Sequence, residues 1–292
     1  MAAVTSSAQG TAESGTAAPR LPAGSTPLFR PKRRLPFPLS VYQSSVGRKW
    51  VMALTGIGLL GFVLAHMIGN LHLYEGPSRM YEYAESLRDL GGGLVGRSLV
   101  LWVLRVGLVV MFALHLHSAY TLADRSRRAA DGSGIAGNKR YASRRDYIAA
   151  NYASRTMRWT GPIVGLYVLF HLADLTWGWW LGPDYVRGDP YHNVVESLSN
   201  LPVAIVYVVA NVALAVHIFH GAWSMFQSLG INNPRYNGLR RNLATALAAV
   251  VLVGNLSFPV LTQLGLVDED GRACPANDGA GLECLADEAE AR

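Results

Sequence analysis

Hydrophobic positions along this chain fall into five long runs separated by polar stretches, and each run is about 20 residues or more with almost no charge. That is the length needed to cross a hydrocarbon layer of roughly 30 Å as a helix. The pattern predicts an all-α, five-helix transmembrane bundle with spans at about 49–74, 98–123, 157–180, 201–230 and 239–266. The polar stretches organise the rest. Residues 1–39 are rich in Ala, Ser, Thr, Gly and Pro and end in the basic run 29–36, which reads as a disordered basic arm. A short amphipathic lead-in at 40–48 lies at the membrane surface. The connection 75–97 has a helical pattern at 81–90 and breaks at Gly91-Gly92-Gly93, the loop 181–200 is of mixed charge, and 267–292 is an acidic tail.

Composition agrees with a membrane class: 50% of residues are hydrophobic and 16% charged, where soluble domains run nearer a quarter charged. The net charge of +6 sits between the apolar runs, so its role is topogenic and does not point to nucleic acid. On a five-span chain, nineteen Lys and Arg fall on the side of the N-terminus and six on the other, with Arg105 inside a span. This places the N-terminus in the cytoplasm of a multi-pass protein of the cytoplasmic membrane, and the acidic tail outside. Both cysteines, Cys274 and Cys284, lie in that tail, where they could pair. No cysteine-ligated cluster can be built within the membrane.

Histidines interrupt four of the apolar runs: His66 in the first, His115 and His117 in the second, His171 in the third, and His217 and His220 in the fourth. Helix rise gives each a depth. His66 is 17 residues past Lys49 and His171 is 13 past Arg158, about 20–25 Å from the cytoplasmic face. His115 and His217 lie on helices running the other way, 17 and 16 residues past Ser98 and Leu201, so they sit nearer the cytoplasm. Two histidine pairs at two levels, each from two helices, suit axial ligation of two b-type haems. Hydrogen bonding between helices and a proton relay in a haem-free transporter are the other readings of such residues, as is a single haem or other centre. His115 and His117 cannot face one site together, whereas His217 and His220 share a helix face.

The segments GFVLAHMIGNL (61–71), LHLHSAY (114–120), SRTMRW (154–159), FHLADLT (170–176) and HIFHGAWS (217–224) resemble the cytochrome b membrane-anchor subunit of succinate dehydrogenases and fumarate reductases, in its five-helix, actinobacterial-like form. The resemblance covers about residues 40–265. It implies a diheme, quinone-reactive subunit that receives electrons from an iron-sulfur subunit and a flavoprotein subunit and passes them to menaquinone, with no succinate site of its own. It further implies that His66 and His171 hold the outer haem and His115 and His217 the inner one, leaving His117 and His220 beside them. Arg105 needs an acidic partner in lipid; a haem propionate fits its depth, with Asp174 as the alternative. Lys49 and Arg158 are candidates for propionates of the inner haem. Glu82 and Glu85 are candidates for proton handling near the quinone.

Overall fold

The computed structural model describes residues 35–37, 39–130, 148–231 and 233–268, with side chains at 128–130 and 148–155 excepted. Most of the N-terminal arm, the centre of the basic loop between the second and third runs, and the tail with Cys274 and Cys284 lie outside the described residues. Within them the chain is helical, without strands. In chain order the helices are α1 (Leu39–Gln43), α2 (Ser45–Asn70), α3 (Pro77–Arg88), α4 (Leu99–Ala130), α5 (Ile148–Leu175), α6 (Pro190–Ser199), α7 (Leu201–Ser228) and α8 (Asn237–Gln263).

The predicted runs correspond to the long helices α2, α4, α5, α7 and α8. Four of these stretches, Ser45–Glu75, Leu99–Arg127, Leu201–Ser228 and Pro234–Gln263, are long and apolar enough to cross a membrane. Helix α5 falls short of that apolarity: its described part carries Arg158, Pro162, His171 and Asp174. It also ends at Leu175, before the predicted limit of 180. The amide N–H of Trp179 donates to the Ala173 carbonyl at 2.9 Å, and Gly178 takes φ +66°. A left-handed glycine behind the last turn is a common helix stop, so Trp177, Trp179 and Trp180 lie beyond the helix.

Half of the predicted loop 181–200 is instead the helix α6. Asp189 caps it, accepting from the His192 amide at 3.0 Å, and Pro190 occupies the first turn, where a missing N–H costs nothing. Helix α6 buries Tyr191, Asn193, Val195, Ser197 and Leu198 against α7 and α8. Of these, Tyr191, Val195 and Leu198 join Met67, Leu73, Met80, Val203, Tyr207 and Phe258 in the main apolar cluster, at one end of the bundle. Helix α4, by contrast, has none of its apolar stretch buried, and it leans mainly on α2.

Among the long helices, α2 contacts α4, α5 contacts α7, and α7 contacts both α2 and α8. Among the described residues neither α2 with α5 nor α4 with α7 forms a substantial contact. The four helices that carry histidines therefore make two side-by-side pairs, α2–α4 and α5–α7, with a seam between them.

Candidate functional site

Both predicted histidine pairs face each other across that seam. The ring centroids of His66 on α2 and His171 on α5 are 5.9 Å apart, and those of His115 on α4 and His217 on α7 are 6.4 Å apart. The rings meet edge to face, at 80° and 64°. An imidazole nitrogen bonds a first-row metal at about 2 Å and the ring centre lies about 1 Å beyond it, so two rings on opposite sides of one ion have centres about 6 Å apart. Each pair meets that spacing.

The ring nitrogens are prepared unequally for such a role. The Nδ1 atom of His115 lies 3.2 Å from the Met52 carbonyl oxygen and 3.2 Å from Thr55 Oγ1. A carbonyl can only accept, and the Thr55 hydroxyl already donates to the Val51 carbonyl at 2.6 Å. Nδ1 must therefore carry the proton, and Nε2 keeps its lone pair. His217 repeats the device: its Nδ1 is 3.5 Å from Thr160 Oγ1, whose own proton goes to the Thr156 carbonyl at 3.0 Å. At His171 the acceptor is the Tyr207 hydroxyl, 3.3 Å away, which donates to Asp174 Oδ2 at 2.8 Å. In all three cases the network assigns the tautomer that a metal ligand through Nε2 requires. His66 differs, since its Nε2 meets Asn70 Nδ2 at a long 3.4 Å; a ligand at Nε2 would replace that contact.

Two short segments build this arrangement twice. Thr55-Gly56 on α2 lies against His115 of α4, and Thr160-Gly161 on α5 lies against His217 of α7. A Cβ placed on Gly56 would meet His115 Cε1 at 3.4 Å, and one on Gly161 would come within 4.0 Å of His217 Cε1. In each segment a histidine follows the threonine by eleven residues, His66 in one and His171 in the other. The pairs α2–α4 and α5–α7 are thus structural repeats, and each histidine pair takes the corresponding residue from both. The Thr-Gly signal is present in the sequence, although hydropathy and depth do not single it out.

The remaining candidates are placed as follows. His117 is exposed, with Nδ1 2.5 Å from the Tyr42 hydroxyl, and His220 is buried with its ring beside Phe219. Neither belongs to a facing pair. Arg105 is exposed and stacks on Trp102, its guanidinium carbon 5.2 Å from the ring centroid; among the described residues it has no carboxylate within salt-bridge reach. Asp174 is not its partner, because Oδ2 of that fully buried carboxylate accepts from Ser197 at 2.6 Å and from Tyr207. Lys49 and Arg158 are exposed on α2 and α5. Glu85 is ion-paired with Arg88 and Arg97, and Glu82 with Arg79. Glu82 also lines an open cleft of 640 Å³ with Tyr81, Arg88 and Arg187.

Among the described residues no three His, Cys, Asp or Glu side chains converge as a metal site. A metal held by either histidine pair therefore has to bring its other ligands with it, as iron does in a porphyrin.

A family model described as the succinate dehydrogenase/fumarate reductase transmembrane subunit matches residues 141–256. That stretch holds α5, α6, α7 and most of α8, including His171, His217 and Thr160, and leaves His66 and His115 outside it. No curated protein and no solved structure shows a significant match.

Proposed function

We propose that this chain is the membrane-anchor cytochrome b subunit of a succinate:quinone oxidoreductase, a succinate dehydrogenase or fumarate reductase. In this reading it passes electrons from an iron-sulfur and flavoprotein pair on the cytoplasmic side, through two b-type haems, to menaquinone. The observation that carries the proposal is the pair of facing histidines at each of two places, each pair drawn from two helices that make no substantial contact of their own among the described residues. The family match over residues 141–256 supports the assignment to this class of complex.

The residues fit the group. Only two protein ligands are offered per site, three of the four imidazoles are held with Nε2 free, and glycines lie flush against the rings of His115 and His217. Haem supplies a one-electron carrier at each site when bound. His66 with His171, and His115 with His217, would hold the two irons. The threonines and Tyr207 orient the rings, and the surrounding apolar helices exclude water. Arg105 stands ten residues before His115, as Tyr207 stands ten before His217. By that repeat it belongs at the level of His66 and His171, where a propionate would satisfy it. Lys49 and Arg158 would serve propionates at the other level.

In this reading α5, third in chain order, completes the five spans despite its polar residues. Asp174, the costliest of them in lipid, is covered by α6 and α7 and presents nothing to hydrocarbon. The excess of Lys and Arg then sets the N-terminus in the cytoplasm, where the partner subunits dock.

The test is an absorption spectrum of the purified, dithionite-reduced complex with a pyridine haemochrome count. Two b haems per copy of this chain are expected, together with co-purifying flavin and iron-sulfur subunits. A preparation that retains its partners but carries no haem overturns the reading.

A further inference from the structure

One side chain near the histidine seam has no role in ligation and no explanation in packing. Asp174, in the last turn of α5, is a carboxylate at 0% exposure beneath α6 and α7. Its Oδ2 takes two hydroxyl hydrogen bonds, from Ser197 at 2.6 Å and Tyr207 at 2.8 Å, while Oδ1 has no hydrogen-bond partner among the described residues. Burying a carboxylate with one oxygen unpaired is expensive, so its presence calls for a return elsewhere. The Tyr207 hydroxyl, having given its proton to Asp174, faces His171 Nδ1 at 3.3 Å. A continuous chain of three groups thus leads from the carboxylate to one imidazole.

The repeat shows that this chain is made on one side only. Matching Thr55 to Thr160 and His66 to His171 puts Gly69 where Asp174 stands, and matching His115 to His217 puts Arg105 where Tyr207 stands. The partners of the other three histidines are a carbonyl, two threonine hydroxyls and an amide, all neutral. His171 alone is backed by a carboxylate.

We propose that Asp174 is a positioning residue which, acting through Tyr207, holds His171 in its Nδ1–H form and makes it the strongest electron donor of the four histidines. This rests on the reading of the histidine pairs as haem ligands. A hydrogen bond from the distal nitrogen toward negative charge raises the basicity of a ligating imidazole, and both that and the nearby charge favour the oxidised metal. The two sites then differ in potential for a reason built into the second repeat, with the His66–His171 site the lower for its surroundings.

The experiment uses the full complex, with redox titration of the two b-haem absorption bands and the electron paramagnetic resonance spectrum of the oxidised form. Asp174→Asn removes the charge and keeps the shape. Tyr207→Phe keeps the ring and cuts the connection, and it decides the matter if the first variant does not assemble. Ser197→Ala removes the other hydroxyl and leaves the connection whole. The haem that His171→Ala eliminates should become easier to reduce in Asp174→Asn and in Tyr207→Phe, by about tenfold in its equilibrium, equivalent to about 59 mV for one electron. Its low-spin signal should move as well. The other haem should stay in place, and Ser197→Ala should have the smaller effect. Unmoved midpoints in both variants, or equal shifts of both haems, overturn the proposal while leaving the two-haem reading intact. Absence of haem from the unaltered complex overturns that reading instead.

Discussion

His66 and His171 face each other with ring centroids 5.9 Å apart and planes at 80°, although the helices that carry them make no substantial contact. Side chains that meet where backbones do not are bridging a space. The same holds for His115 and His217. In the proposed reading that separation of the backbones is what a flat ligand between the two rings would use.

In the proposed reading, alanine at any of the four facing histidines would remove one of the two protein ligands from one site. His66→Ala and His171→Ala should each leave one haem of two, and it should be the same haem. His115→Ala and His217→Ala should leave the other. His117→Ala and His220→Ala should keep both, since neither ring faces a partner histidine. Pyridine haemochrome counts on the purified complexes check this, and a variant of His66 that retains two haems would reassign the ligands.

The threonines behind the histidines should not be equivalent. His115 Nδ1 has the Met52 carbonyl in addition to Thr55, whereas His217 Nδ1 has Thr160 alone. Thr160→Val is expected to weaken haem retention about 10-fold or more, in the range found for groups that orient metal ligands. Thr55→Val should change it much less. Rates of haem loss to a scavenger protein measure the difference, and equal losses would mean that the carbonyl does not substitute for the hydroxyl.

The long helices and the depth pairing of histidines were legible in the sequence because hydropathy and a fixed helix rise are enough to place them. What escaped depended on facing. Helix α6 was hidden in a stretch of mixed charge, although Asp189-Pro190 is a start signal and Val194, Val195 and Leu198 are helically spaced. Missing α6 also meant missing Ser197, and so the true surroundings of Asp174, which left it as the alternative partner of Arg105. Tyr207, Thr55 and Thr160 were single hydroxyls in apolar runs; only the backbone geometry shows which of them touch an imidazole. The tryptophans at 177–180 were assigned to the third span because apolar character continues past Leu175, where the helix stops.

Gly69 is one of several glycines at which packing leaves no room for a side chain. An added Cβ would stand 2.1 Å from the Tyr83 hydroxyl and 2.5 Å from the ring carbon that bears it. The Tyr83 ring is itself set against His72, centroids 4.9 Å apart, so it has little room to retreat. Gly69→Ala should therefore cost about 1–3 kcal/mol, the usual range for an overpacked site, and should loosen α3 from the end of α2. Thermal unfolding of the detergent-solubilised complex reads the cost. Gly61→Ala is the control, because a Cβ there meets nothing within 4 Å, and it should unfold like the unaltered protein.

Tyr191 couples the stability of the α6 region to alkaline pH. Burial, and secondarily the charge of Asp268, push its hydroxyl from 10 up to about 12. The hydroxyl donates to the Asp268 carbonyl at 2.9 Å, a bond only its neutral form can make. A raised value means that the folded protein favours the protonated phenol. That contribution is complete below pH 10, where the unfolded chain is also neutral, and is lost progressively between pH 10 and 12. Unfolding temperatures should accordingly fall across that window. Tyr191→Phe should start lower, having lost the hydrogen bond, but fall less steeply over the same interval. Parallel curves for the two proteins would show that Tyr191 does not carry the alkaline transition.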